Sequence, residues 1–318
     1  MASSIDTRKF AREQAGRLLG RLAYQVNHTI KSHDSAAVHD LRGAIRRYTR
    51  VLKVFSTTFE VKDTRKLWRR LKRVLELARE VGRLDVALKA LAKAPGDVSA
   101  VRGKIQARRK EAARDLVAAL KRWMDRKSSV KWRTALDVAL MRKSEALRAV
   151  SLERMAGEVL ESMARDFFHG GNEAAAAKTA PEVLEAFGVG CRKFRYTLEV
   201  FATVTGGDGR LWLERAHATQ VMLGKVRDWS IAEAVISPHK GAEDVSAWVK
   251  KRCRKQCDEF RHYWRKEFGD ARSVRAWISA LGVAESRLPK KPAGRSMSVS
   301  SRGGAAQGRE KAALPRSR

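Results

Sequence analysis

The sequence predicts an all-α protein, and three features of the chain lead to that prediction. Apolar residues recur three and four positions apart along residues 1–285, which is the spacing of a helix that buries one face. Ala, Leu, Arg, Lys and Glu, all strong helix formers, are abundant in the same region. Of the six prolines, only Pro95, Pro181 and Pro238 lie there. Few helix breakers therefore interrupt the pattern.

Turn-forming residues divide this pattern into segments. The breaks lie at clusters of Ser, Gly, Asn, Asp and Pro, namely 32–35, 95–97, 170–172, 206–209 and 269–270. Pro181 and Glu182 suit a first helical turn, because proline lacks an N–H that this turn leaves unpaired and the acid complements the helix dipole. The predicted helices are 5–31, 36–57, 62–93, 98–127, 131–145, 149–169, 181–204, 209–236, 243–268 and 271–283.

The length and charge of the chain restrict its class. It has 318 residues and a formal net charge of +32, and 44% of its residues are hydrophobic. That apolar fraction is too high for a disordered chain, and the length suffices for one large domain or two ordinary ones. A large positive charge attracts polyanions. The expected partner is therefore DNA, RNA, an anionic membrane surface or a phosphate polymer.

Three further features predict the compartment. No run of about 18 apolar residues is present, so no membrane-spanning helix is expected. The first residues of the chain lack the apolar block of a secretory signal. The three cysteines are too few for a disulfide framework and suit a reducing compartment. Together these features predict a cytoplasmic protein.

The C-terminal segment differs from the rest in composition. Residues 286–318 are rich in Ser, Gly, Arg and Lys, with nine basic residues and one acid, Glu310. Such a segment is predicted to be a disordered basic tail. Its net charge of +8 leaves +24 on residues 1–285, so the basic character also belongs to the predicted folded domain.

The predicted folded domain contains an internal repeat. A shift of 146 residues aligns residues 38–48 with 184–194 by residue type, and the register continues to Phe55 and Phe201. Two copies of one helical array would form a pseudo-symmetric pair of bundles. The repeat predicts units of about residues 5–147 and 148–285.

The helix predicted at 36–57 separates its apolar and basic residues onto opposite faces. At 100° per residue, Leu41, Ile45 and Tyr48 lie on the apolar face. The opposite face is a basic stripe about 21 Å long, more than a single nucleotide phosphate needs. A linear polyanion matches this length. The stripe consists of His39, Arg42, Arg46, Arg50 and Lys53.

The residues of the basic stripe can bind phosphate, and similar basic residues occur elsewhere in the sequence. Arginine pairs bidentately with phosphate oxygens, and a nearby phosphate favours the charged form of histidine. A basic face on a single helix is more often only solvated. Here similar residues recur on the next helix and in the second copy, although Glu76, Glu80 and Glu199 would weaken the field through pairs within a helix. These residues are Arg65, Arg69, Lys72, Arg73 and Arg83 on the next helix, and Arg192, Lys193, Arg195 and Lys225 in the second copy.

Two sequence motifs and one turn are shared with a known family. The motifs are Val38-His39-Asp40-Leu41-Arg42-x-Ala44-x-Arg46-Arg47 and Arg192-Lys193-Phe194-Arg195-Tyr196-x-Leu198-Glu199-x-Phe201, and the turn is Gly224-x-x-Arg227-Asp228. The H-x-x-R-x-x-x-R-R run is fairly specific. On these residues the chain resembles the conserved histidine α-helical domain, CHAD, over roughly residues 5–285.

The resemblance implies two similar four-helix units around a basic central groove that binds inorganic polyphosphate, often at polyphosphate granules, without catalysis. Glu185 replaces the expected histidine of the second half, Gly188 replaces an arginine, and no arginine precedes Asp85 in the first-half turn. The first half is therefore expected to dominate binding. By the resemblance, the groove is lined by His39, Arg42, Arg46, Arg47 and Arg50 from one half and by Arg192, Lys193 and Arg195 from the other.

Other candidate sites have weaker support. Cys253 and Cys257 are four residues apart, but His262 lies on the opposite side of that helix, so ordinary partly buried thiols are predicted. The remaining histidines form no ligand pattern around the His39-Asp40 pair. Phosphate-binding loops, nucleophile elbows and the E-x-E-x-K motif of triphosphate-processing domains are absent from the sequence. No catalytic activity, metal or cofactor is predicted.

Nucleic acid remains the alternative partner, bound by the basic body and the tail together. Binders of single strands place aromatic side chains among their basic residues. Here Tyr48, Phe55, Phe194 and Phe201 lie on apolar faces, and Tyr196 is the exception. This arrangement favours a ligand of phosphates without bases. A metal-dependent polyphosphate or nucleotide hydrolase is the third hypothesis.

Overall fold

The computed structural model describes residues 6–59, 61–141, 151–176, 181–270 and 274. Within these residues all regular secondary structure is helical, which confirms the all-α prediction. The predicted tail and, apart from residue 274, the predicted helix 271–283 lie outside them. The helices are α1 Thr7–Ser32, α2 Ser35–Val54, α3 Val61–Leu91, α4 Ser99–Asp125, α5 Ser128–Met141, α6 Leu152–Ala174, α7 Pro181–Ile236 and α8 Glu243–Phe268.

Local capping explains several helix ends. Asp6 accepts hydrogen bonds from the backbone N–H groups of Arg8 and Lys9 at the start of α1. Asp34 caps α2 in the same way through the N–H of Ala37, at 2.8 Å. Between these helices His33 adopts a left-handed conformation with φ 41°, which ends α1. The predicted breaks at 32–35, 95–97 and 269–270 are confirmed.

The predicted break at 170–172 is wrong, because α6 continues to Ala174. Gly171 lies inside the helix and faces the ring of Trp264 on α8. A Cβ at this position would lie closer than 3.0 Å to that ring. The Trp264 Nε1–H also donates to the Asn172 side-chain oxygen at 2.9 Å. Glycine here permits close approach of two helices and does not end one.

Helix α7 folds back on itself. A Cβ at Gly188 would lie 3.9 Å from the Leu223 Cβ, whereas a straight helix would separate these residues by about 52 Å. The midpoint between them lies directly before the predicted turn at 206–209. There a Cβ at Gly209 would clash with the Thr205 side chain, so glycine allows the tight bend. We refer to residues 181–205 and 209–236 as the first and second arms of α7.

Most helices pack against a neighbour in the chain. α1 packs on α2 and α3 on α4, while α6 and α8 pack on α7, and α7 contacts α2 and α3 across the middle. The rings of Phe55 and Phe201 make contact between the halves, with their centroids 5.9 Å apart. α5 packs on α1. The pseudo-symmetry of the halves, and the division at residue 285, stay predictions.

Two apolar clusters stabilise this arrangement. The larger one includes Tyr48, Phe55, Phe194 and Trp212, all 1% exposed or less. The smaller one joins the C-terminal ends of α3 and α7 to the N-terminal parts of α4 and α8. The aromatic residues predicted on the apolar faces are therefore core residues. No helix in the described part of the chain is long and apolar enough to cross a membrane.

Candidate polyanion-binding site

Five arginines from the central helices form one cluster, which we call the arginine cluster. Arg42 and Arg46 come from α2, Arg79 from α3, Arg192 from the first arm of α7 and Arg227 from the second arm. Their proximity is visible in their electrostatics: Arg227 and Arg79 lower the pKa of Arg42 and of Arg46, and Arg227 lowers that of Arg192. The fold thus brings together cations that are up to 185 residues apart in the sequence.

Burial acts on these arginines more strongly than their mutual repulsion. It lowers the pKa of Arg42, Arg46 and Arg192, and with the repulsion of the neighbouring guanidinium groups it brings each to about 10. All three therefore remain charged at neutral pH. The protein holds several positive charges close together in a partly dehydrated place.

Few carboxylates compensate these charges. Within the described ranges, Arg42, Arg46, Arg79 and Arg192 make no ion pair. Asp228 lies 3.3 Å from Arg227 Nη2. In the same part of the structure the Nε groups of Arg42 and Arg227 are buried without a hydrogen-bond partner. An anion that accepts N–H bonds here would relieve both the repulsion and the unpaired donors.

Arg42 reaches the cluster because α3 has a glycine opposite it. Arg42 is 9% exposed, and its guanidinium lies directly over Gly82. A Cβ at residue 82 would approach Arg42 Nη1 closer than 3.0 Å. The glycine thus fixes the position of an arginine that belongs to another helix.

His39 lies at the start of the stripe on α2. Burial, followed by the charges of Arg42, Arg46 and Arg227, lowers its pKa below 6.5, against the opposing effect of Asp40. The lowered pKa favours the neutral imidazole in the free protein. The charged donor expected from the sequence requires the phosphate to be bound or the pH to fall.

Arg47 of α2 and Arg195 of α7 share one carboxylate, that of Glu199. Both donate to the carboxylate of Glu199, Arg47 through Nε at 2.7 Å. Their guanidinium carbons also lie 4.9 and 4.6 Å from the ring centre of Tyr196. Burial opposes the charged form of Arg47, but the hydrogen bond to Glu199 and the nearby negative charges together outweigh this effect and raise its pKa. Both predicted ligands are therefore already paired: Arg47 joins α2 to α7, and Arg195 is paired within α7.

Other predicted site residues are also paired. Arg50 donates from Nε to Thr197 Oγ1 at 2.6 Å and from Nη2 to the Met163 sulfur. On α3, Arg83 pairs with Glu80 at 3.5 Å, and Lys72 lies 4.0 Å from Glu76. Arg50 thus joins the first half to α6 and α7.

The remaining predicted residues are exposed. Lys53, Arg69, Arg73 and Lys225 lie at the surface and make no ion pair within the described residues. Lys193 lines a separate groove of about 280 Å³ between α6 and the first arm of α7. The structure therefore brings Arg42, Arg46 and Arg192 together, with His39 beside them, and distributes the other predicted residues around them.

The chain also matches a known protein family. The family model described as the CHAD domain matches residues 13–237, more than half of the chain. The chain belongs to the CHAD family. Its helices α1 to α7 lie within the match apart from the first residues of α1, whereas α8 lies beyond it.

Solved structures share the fold of this CHAD domain. The crystal structure of the CHAD domain from the plant Ricinus communis superposes with a TM-score of 0.62 at 15% identity, covering 88% of this chain and 94% of that chain. PptA from Streptomyces chartreusis gives a TM-score of 0.52 at 14% identity, covering 87% and 99%. These likenesses show the fold. No curated protein sequence matches this chain.

Two members of the arginine cluster were missed by the sequence analysis. Arg227 was visible in the Gly224-x-x-Arg227-Asp228 turn but was not chosen as a ligand. Arg79 lies two helical turns after Lys72 and one turn before Arg83, so it continues the basic stripe of α3. The helical spacing along α3 was therefore sufficient to identify Arg79 as a candidate site residue.

Proposed function

We propose that this CHAD domain binds inorganic polyphosphate at the arginine cluster and acts without catalysis. The observation that carries the proposal is the convergence of five arginines from α2, α3 and both arms of α7, with Asp228 as their nearest acid. Guanidinium groups donate to phosphate oxygens in pairs, so adjacent arginines suit consecutive phosphates. The CHAD family is associated with polyphosphate binding, and by that association the protein would accumulate at polyphosphate granules in the cytoplasm.

The surroundings of the cluster favour a ligand without bases. Tyr196 is the aromatic residue beside it, and this ring is 6% exposed beneath Arg47 and Arg195. Its faces are therefore not available to stack on a base. Phosphate density, and not base identity, is the property that the cluster recognises.

A competition experiment tests this proposal. Labelled long-chain polyphosphate is bound to the full chain at near-physiological salt and challenged with single- and double-stranded nucleic acid at equal phosphate concentration. We expect polyphosphate to resist displacement, because its charge is denser and a site without stacking gains nothing from bases. Equal displacement by nucleic acid would contradict the proposal.

Nucleic-acid binding is the second candidate, and one observation favours it. Trp68 is 39% exposed on α3 and has Arg69 and Lys72 as neighbours on that helix. An exposed ring among cations is typical of single-strand binding. Trp68→Ala should weaken binding of single-stranded nucleic acid if this surface binds it, and it should leave polyphosphate affinity unchanged.

A further inference from the structure

Two cysteines lie one turn apart on α8, outside the arginine cluster. Cys253 and Cys257 are both half-buried, and their spacing of four residues places them on one face of α8. Each thiol shifts the pKa of the other. Cys253 Sγ also lies 3.9 Å from the carbonyl oxygen of Val226, on the second arm of α7. The two sulfurs are therefore close to each other at a contact between two helices.

We propose that Cys253 and Cys257 bind one soft monovalent metal cation, of which Cu(I) is the model. Thiolate sulfur is a soft ligand and selects such ions. Closed-shell monovalent cations accept two thiolates in a line, whereas structural Zn²⁺ takes four ligands. In the part of the chain that the structure describes, no group of three His, Cys, Asp or Glu side chains is placed to hold a metal. Two sulfur ligands suit the monovalent ion and not zinc.

The charges around the pair support this choice. Binding breaks both S–H bonds, forms two sulfur–metal bonds and releases two protons, and the metal keeps its oxidation state. The product of two thiolates and one monovalent cation carries one negative charge. Arg254, Lys255 and Arg261 lie on the same helix and favour that charge. Arg261 donates to Asp258 and Lys255 lies 4.0 Å from Glu259, so Arg254 is the cation of the three that makes no ion pair within the described residues. A divalent ion would give a neutral complex with unfilled coordination positions.

Geometry disfavours a disulfide between the same residues. Positions four apart on a helix have Cβ atoms about 5–6 Å apart, whereas a disulfide needs about 3.5–4.5 Å. Bond formation would therefore distort α8, which is regular from Glu243 to Phe268. A metal ion lengthens the link between the sulfurs and leaves the helix intact.

Anaerobic competition for Cu(I) tests the site in the full chain, with no polyphosphate present, so the result is independent of the proposed function. A chromogenic Cu(I) chelator competes with the reduced protein. We expect one equivalent to be retained, and Cys257→Ser and Cys253→Ser each to release it to the chelator. His262→Asn, on the opposite side of α8, is the matched control and should retain the ion.

Several results would overturn the proposal. These are no retention by the unaltered chain, retention by the double Cys253→Ser and Cys257→Ser variant, or equally tight retention of Zn²⁺ against a zinc chelator. Cys191 remains in every variant, buried with its thiol donating to the Ala216 carbonyl, and it reports any binding that does not need the pair. Far-ultraviolet circular dichroism verifies that each variant is helical.

Discussion

By the predicted repeat alignment, the two halves of the CHAD domain differ at one pair of facing positions. In the first half, Arg42 projects from α2 and covers Gly82 of α3. In the second half, the corresponding residue is Gly188, and a Cβ at the corresponding Gly224 would meet nothing within 4 Å. The second half therefore has open space where the first half has a guanidinium group.

The segments that end at Asp85 and Asp228, which lie inside α3 and α7 and do not form turns, show the reverse difference. Asp228 of the second half is preceded by Arg227, which joins the arginine cluster. Asp85 of the first half has no such arginine and instead accepts from Arg109 of α4 at 3.0 Å. Each half lacks one arginine that the other supplies. By the predicted repeat, the first half therefore supplies Arg42 and the second half supplies Arg227.

The largest expected effect comes from removing the two α2 arginines. Arg42→Gln with Arg46→Gln should weaken polyphosphate binding about 100-fold or more, because each charged hydrogen-bonding group contributes about 1.5–3 kcal/mol. Isothermal titration calorimetry measures the change. Arg114→Gln with Lys121→Gln removes the same charge from a groove between α1 and α4 and is the control. Similar losses in both double variants would mean that only net charge matters.

A pair of glycine substitutions tests the difference between the halves directly. Gly82→Ala should displace the Arg42 guanidinium and weaken binding about 10-fold. Gly224→Ala adds the same methyl group in open space and should leave affinity unchanged while stabilising the helix by up to about 1 kcal/mol. Binding affinity and thermal unfolding are measured for both variants. Equal affinities would show that Arg42 does not need its position over Gly82.

The arginines at matching positions should contribute unequally. Arg46→Gln is expected to weaken binding several-fold more than Arg192→Gln. Arg46 has Arg42 one turn away, whereas Arg192 has Gly188 at that position and the exposed Glu185 nearly two turns away. Titration of each single variant with the same polyphosphate gives the ratio. A larger loss at Arg192 would place the main contacts in the second half.

The smallest expected effect is a pH dependence that arises at His39. Its free-state pKa is below 6.5, and a bound phosphate raises it, so binding takes up a proton between the two values. Affinity should rise as the pH falls from 7.5 to 5.5, by about tenfold for each unit of pKa change. The charges facing His39 are Asp40, Arg42, Arg46 and Arg227.

The His39→Gln variant is the control for this pH dependence, because it keeps a neutral donor and removes the titration. Its affinity should vary less with pH than that of the unaltered chain. In the free protein the same lowered pKa has the opposite consequence: stability falls as the pH drops below 6.5, because the unfolded state then binds the proton more readily. Identical pH profiles for both proteins would remove His39 from the site.

Much of the fold could be predicted because its signals are local. Helix α2 was predicted at 36–57 and spans Ser35–Val54, since its apolar period and Asp34 cap lie within the segment itself. The glycines at 170–171 were misinterpreted for the opposite reason. Their role depends on Trp264, which is 93 residues after Gly171 and contacts it only in the folded chain.

The sequence by itself determined the helices, the basic stripes and the presence of Arg42, Arg46 and Arg192 on them, because periodicity assigns each side chain to a face. Only the tertiary structure decided which cations share a site. It places Arg79 and Arg227 near Arg42, and it pairs Arg47 and Arg195 with Glu199. The physical reason is that charges interact through space, and the distances between helices remote in sequence are set by core packing.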